Sequence, residues 1–210
     1  MSKIIFKIDK NQDAKNWQRV TNMVNLPHGL INVKNNQKKI KNFSAEEMKR
    51  LEKNKQRLEK YFKKNGSVIF LSIEKLTKKP IYTNTFHVSF TTAGLMPYDI
   101  SDSWFMIPAE KSTKKQITVI IHELYHLQVA HYYMKYCLMK GLSQKQFSEL
   151  NEIVTFILTV SMLHKLNLPK DKSYPKHKKL IKELQRFWIK DKNFEKLLDK
   201  SISTIKLSNL

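Results

Sequence analysis

His122, Glu123 and His126 stand in the order H-E-x-x-H, within a segment (Ile117 to Val129) whose apolar residues favour a helix. Side chains four apart on a helix share a face, so His122 and His126 can offer two imidazole nitrogens to one ion. Glu123, one residue along, can bring a carboxylate to a water on that ion without ligating it. Two His ligands with an adjacent general base are what a zinc hydrolase requires. Seven His and eleven Glu among 210 residues would produce this pattern by chance about 0.01 times per chain, so the spacing carries information.

A catalytic zinc takes three protein ligands and keeps a fourth position for water. A metzincin would place Gly at 129 and His at 132, where this chain has Val129 and Tyr132, and that class is excluded. His131 lies five residues beyond His126, which turns it about 140° around the helix and makes it a poor ligand. The third ligand is sought on the next helix, where two carboxylates compete. Glu152 stands among Leu150, Ile153, Val154 and Phe156, and an unpaired carboxylate there would be costly to desolvate. Glu149 is the runner-up, with wetter neighbours Lys145, Gln146 and Ser148.

His122, Glu123, His126 and Glu152, with Asn151 before the second carboxylate, resemble the gluzincins. These zinc metallopeptidases follow an H-E-x-x-H helix with a second helix bearing a ligating Glu. The resemblance implies a zincin-like α+β fold, with a small mixed sheet packed on the active-site helix and two further helices after it. It also implies Zn2+ as cofactor, a peptide or protein substrate, and Glu123 as the base that later passes its proton to the leaving amine. The compact chain is most similar to the small, minimal members. It departs from them at Phe156, where the family often has an acidic residue bonded to a zinc-bound His. Tyr174 and His177, in the segment after the Glu helix, are candidates for stabilising the oxyanion of the tetrahedral state, with His177 ahead. The other reading of both is a linker that packs and begins the last helix.

The elements that must position these groups read as one domain over 1–210. Residues 1–41 are a segment of uncertain role, with a short strand from Lys3 to Ile8 and a helix capped by Asp13 and running to Val24. A helix and small sheet occupy 42–111. Ser44 and Glu47 form a capping box, and Asn65-Gly66 is expected to stop that helix. Val68 to Leu71 reads as a buried strand, 82–91 as an alternating strand, and Trp104 to Ile107 as a third, with a loop between the last two. In zincins a peptide pairs with an edge strand, and 82–91, carrying His87, is the candidate for it; an ordinary half-buried strand is the equal reading of the same residues. Three helices then fill 112–210, at about 113–140, 143–166 and 176–198. His28 and His164 have no partner pattern.

The formal charge of +21 invites a nucleic-acid reading. Thirty-five of the 39 basic residues are Lys and only four are Arg. This spread, with many Asn and Ile, fits a general codon bias better than a patch selected for phosphate. Arg, the preferred bidentate contact to phosphate and guanine, is nearly absent, so no specific nucleic acid and only incidental affinity for polyanions is the expectation. No membrane span or secretory leader is read in the chain. The lone Cys137 points to a reducing compartment such as the cytoplasm. Two competing readings stand behind the peptidase: a catalytically silent zinc-binding zincin-like interaction protein, and a Lys-rich nucleic-acid-binding protein with an incidental motif.

Overall fold

The computed structural model describes residues 2–22, 44–170 and 177–207. The chain is α+β, with a four-stranded mixed sheet and a predominance of helix. It divides into two compact units, Met1–Gly66 with Thr83–Gln116, and Ser67–Tyr82 with Ile117–Leu210.

The first unit holds the sheet, in the order β1 (Lys3–Lys7), β2 (Thr85–Thr91), β4 (Trp104–Pro108), β3 (Tyr98–Asp99). β1, β2 and β4 are parallel, and the two-residue β3 runs antiparallel at one edge. The register sets Phe6 beside Val88 and Val88 beside Phe105, with Phe90 beside Ile107, so one face carries a continuous buried row. The alternation read in 82–91 is present over Thr85–Thr91 only in part, because Ser89 and Thr91 on the polar face are buried too, and its substrate-pairing role is not available to it. β2 lies between β1 and β4, and both of its edges are taken. Strand partners come from distant parts of the chain, which a local alternation does not reveal.

Helix α1 (Lys10–Asn22) starts at Asp9, whose carboxylate accepts from the Gln12 amide at 2.9 Å, and not at Asp13. Asp13 is instead buried. It accepts from the Thr91 hydroxyl (2.6 Å), the Thr92 amide (2.9 Å) and the Thr92 hydroxyl (2.7 Å). Asn16 adds bonds to Thr91 Oγ1 and to the Leu95 carbonyl, at 2.9 and 2.8 Å. Val24 and His28 lie outside the described residues. Replacing Asp13 by Ala should lower unfolding stability by about 3 kcal/mol, since buried donors lose a charged acceptor together. Urea titration checks this, and an unchanged midpoint would show that the three bonds contribute nothing net.

The largest departure from the sequence reading is α2, one helix over Ala45–Thr77. Its start is as expected, with Ser44 and Glu47 exchanging bonds at 2.8 and 3.1 Å. Asn65-Gly66 does not end it, and Val68 to Leu71 is helix, not strand. Ile69, Phe70, Ile73 and Leu76 are buried, while Val68 and Leu71 are 57% and 53% exposed, which is helical periodicity. A mid-helix Gly costs about 1 kcal/mol. Each large apolar side chain buried contributes about 1.5–3 kcal/mol, so the tertiary gain wins.

The second unit is helical. α3 (Thr113–Met139) begins in the first unit and ends near Gly141, whose φ of 87° is the left-handed conformation glycine tolerates. Tyr133 donates to the Thr77 carbonyl at 2.6 Å and Gln128 to the Pro80 carbonyl at 2.9 Å, tying α3 to the end of α2. The expected 143–166 helix is interrupted. A Ser143/Gln146 capping box opens α4 (Gln144–Val154); Thr155 then breaks it before the short α5 (Phe156–Leu158) and a π-helical turn at Thr159–Leu163. At the break, the Thr155 hydroxyl donates to the Glu152 carbonyl at 2.7 Å, competing with the helical ladder. The expected 176–198 helix is two: α6 (Lys178–Asp191) and α7 (Phe194–Leu207). Lys192 takes a left-handed φ of 51° between them, and Asn193 accepts from the Lys196 amide at 3.1 Å to start α7. No described helix is long and apolar enough to cross a membrane.

Candidate metal centre

The site is built on α3 and α4, both in the second unit. Ile117, Ile120, Ile121, Leu124, Tyr125, Leu127 and Val129 are all buried, which holds α3 in the core from nearly every side. The helical repeat then brings His122 and His126 together on one face, with ring centroids 4.2 Å apart and Nε2 atoms 2.6 Å apart. From α4, Glu152 Oε2 lies 3.3 Å from His126 Nε2 and 3.6 Å from His122 Nε2.

These three atoms form the one group of His, Cys, Asp or Glu among the described residues with mutually close ligand atoms. A circle through them has a radius of about 1.9 Å, near the 2.0–2.2 Å bonds that zinc makes to imidazole nitrogen and carboxylate oxygen. The chemistry of the donor set fits as well. Two imidazoles and one carboxylate converge on a common point, where a shared proton would satisfy one pair and a cation satisfies all three. Burial pushes the Glu152 carboxyl up, but hydrogen bonds and charge from His122 and His126 outweigh it and hold the group well below the usual carboxylate range.

Asn151 has a structural role that its place before Glu152 does not announce. It is buried, and its Nδ2 donates to the His126 main-chain carbonyl at 3.2 Å. The residue before one carboxylate thus anchors α4 to the helix turn that carries a histidine. The sequence signal was a polar amide in an apolar run, which needs a partner.

The other candidates fall in different places. Glu123 is buried on α3 and does not belong to the three-atom cluster. Glu149, one turn before Glu152, is half-buried and also outside it. His131 is exposed and stacks on Tyr82, with centroids 4.3 Å apart and planes at 14°. His177 is buried at the start of α6 and His164 is exposed after the π-helical turn; neither joins the cluster. Tyr174 lies outside the described residues. Phe156, at the position where a gluzincin often has an acid, is buried in the core.

No protein-family model, curated protein or solved structure matches the chain. A cation held by two imidazoles and a carboxylate, with a second carboxylate next to a ligand, is equipped for hydrolysis by activated water.

Proposed function

We propose that this protein is a zinc-dependent metallopeptidase of the gluzincin type, on a zincin-like α+β fold. The observation that carries the reading is the convergence of His122 Nε2, His126 Nε2 and Glu152 Oε2 from two helices, beside a Glu at the second position of H-E-x-x-H. His122, His126 and Glu152 would hold the ion. Bound zinc supplies Lewis acidity, which lowers the pKa of a water and polarises the scissile carbonyl.

The remaining chemistry belongs to the chain. Glu123 accepts a proton as the water oxygen attacks the carbonyl carbon. It then gives that proton to the amide nitrogen as the C–N bond breaks, so one carboxylate serves both steps. Its buried position on a packed helix limits its rotamers, which favours a fixed proton path. Asn151 holds the two ligand-bearing helices in register. Cys137 takes no part in this chemistry: it is buried, and burial and Asp199 push its thiol up to about 11, which keeps it unreactive.

The test is metal analysis of the purified protein together with turnover of a mixed peptide library. The expected result is about one zinc per chain and cleavage that stops with a chelator and returns with added zinc. Bound zinc without cleavage of any peptide would leave a silent metal-binding protein. Absence of metal affinity would make the motif incidental.

A further inference from the structure

The net charge of +21 says little about where an anion would bind, but α6 does. Lys178, Lys182, Arg186 and Lys190 follow one another at four-residue steps, and all four are exposed. Each step rises about 6 Å and turns about 40°, so they form a row about 18 Å long on the helix side opposite its buried residues Ile181, Leu184 and Trp188. Lys179 flanks the row. The two acidic side chains of α6 are engaged elsewhere: Glu183 pairs with Lys200 at 2.8 Å and Asp191 with Lys196 at 3.0 Å, both on α7. No described acidic group pairs with any of the four cations. On α2, by contrast, the exposed Lys49, Lys53, Arg57 and Lys60 are interleaved with exposed Glu46, Glu52 and Glu59.

We propose that the solvent face of α6 docks the phosphate backbone of nucleic acid, without regard to base sequence. A row of cations that winds about 120° around the helix, with no acidic partner among the described residues, offers regularly spaced positive charge to a polymer with regularly spaced negative charges, and binding is driven by release of that polymer's counterions. Three of the four are Lys, point charges that suit a diffuse phosphate field better than the planar, bidentate recognition Arg provides. Base readout is not built in, because Trp188 is buried with its indole N–H on Ser161 Oγ at 3.2 Å, and Phe187 is half-buried. An anionic membrane is the weaker occupant. Surface helices on lipid insert an apolar face, and here that face is spent on the core, leaving only Ile189 exposed beside the row. The scarcity of Arg argues against base reading and bidentate phosphate contacts, and the spread of Lys over the chain argues against a phosphate patch in general; the clustering on α6 is the local exception. The inference is independent of the metal site.

The experiment titrates full-length protein against a labelled 30-base-pair duplex of arbitrary sequence at several salt concentrations from 50 to 200 mM. One variant carries Lys178→Gln, Lys182→Gln, Arg186→Gln and Lys190→Gln. A control carries Lys49→Gln, Lys53→Gln, Arg57→Gln and Lys60→Gln, which removes the same charge from α2. Four lost phosphate contacts should reduce the slope of log affinity against log salt by about 3.6. Affinity at 50 mM should fall at least about tenfold in the α6 variant and much less in the control. Single Gln substitutions, each reducing the slope by about 1, keep the test open if the fourfold variant misfolds. Equal losses in both variants would reduce the effect to net charge and overturn the proposal. So would unchanged duplex binding by the α6 variant, including the case where that variant loses binding only to phosphatidylserine vesicles or to a poly-glutamate peptide.

Discussion

Glu123→Gln is expected to keep zinc bound and to lower peptide hydrolysis by about 10²–10⁴-fold, the usual contribution of a positioned general base. The amide has nearly the shape of the carboxylate but cannot take a proton from water at neutral pH. Because Glu123 lies outside the cluster of His122, His126 and Glu152, its replacement removes no ligand. Its burial also works in favour of the test, since a neutral side chain is no harder to desolvate than the acid it replaces. Zinc content and kcat are measured on the same preparation. Hydrolysis retained at near the original rate sinks the assignment of the base. Zinc lost together with activity would instead make Glu123 part of the metal's support.

The second large effect concerns the carboxylate ligand. Glu152→Ala should weaken zinc binding by at least about 100-fold, because even partners that only orient ligands are worth about 10–100-fold. Glu149→Ala should leave it nearly unchanged. The distances of 3.3 and 3.6 Å from Glu152 Oε2 to the two imidazoles carry the difference, together with the anchoring of α4 through Asn151. Competition with a chromophoric chelator measures both affinities. Retained binding in the first variant with loss in the second would reverse the choice of ligand. Circular dichroism of each variant separates loss of the site from loss of the helix.

The two carboxylates also show why Glu152 is less legible in the sequence than the two histidines. His122 and His126 face the same way because they are one helical repeat apart, a local property. Glu149 and Glu152 are on a helix whose orientation against α3 is set by packing, and desolvation favoured Glu152 without being able to exclude its neighbour. The buried run Leu150, Ile153 and Val154 turns α4 so that Glu152 meets the histidines. The same packing directs Asn151 at the His126 carbonyl.

Local rules failed where long-range contacts outweighed them. The turn signal at Asn65-Gly66 was a real cost of about 1 kcal/mol, but burial of Ile69, Phe70, Ile73 and Leu76 exceeded it and one helix resulted. Asp13 had the composition of a cap and became a buried acceptor because Thr91 and Thr92 come to it from β2 and the residue after it. Conversely, the break at Lys192 was present in the polar run Asp191-Lys192-Asn193, and a helical stripe that continued beyond it concealed the stop.

By itself the sequence determined the H-E-x-x-H pair, the helix that carries it, the mixed α+β composition and the excess of lysine, because each depends on residue type and short-range periodicity. Tertiary structure alone decided three things. It brought Glu152 within 3.3 and 3.6 Å of the two histidines, it enclosed β2 between two parallel strands, and it left the α6 cations without an acidic partner among the described residues by engaging Glu183 and Asp191 with α7. The physical reason is common to all three. A side chain's partner is chosen by the packing of whole elements, and elements distant in the chain meet through buried apolar faces that no short window of residues contains.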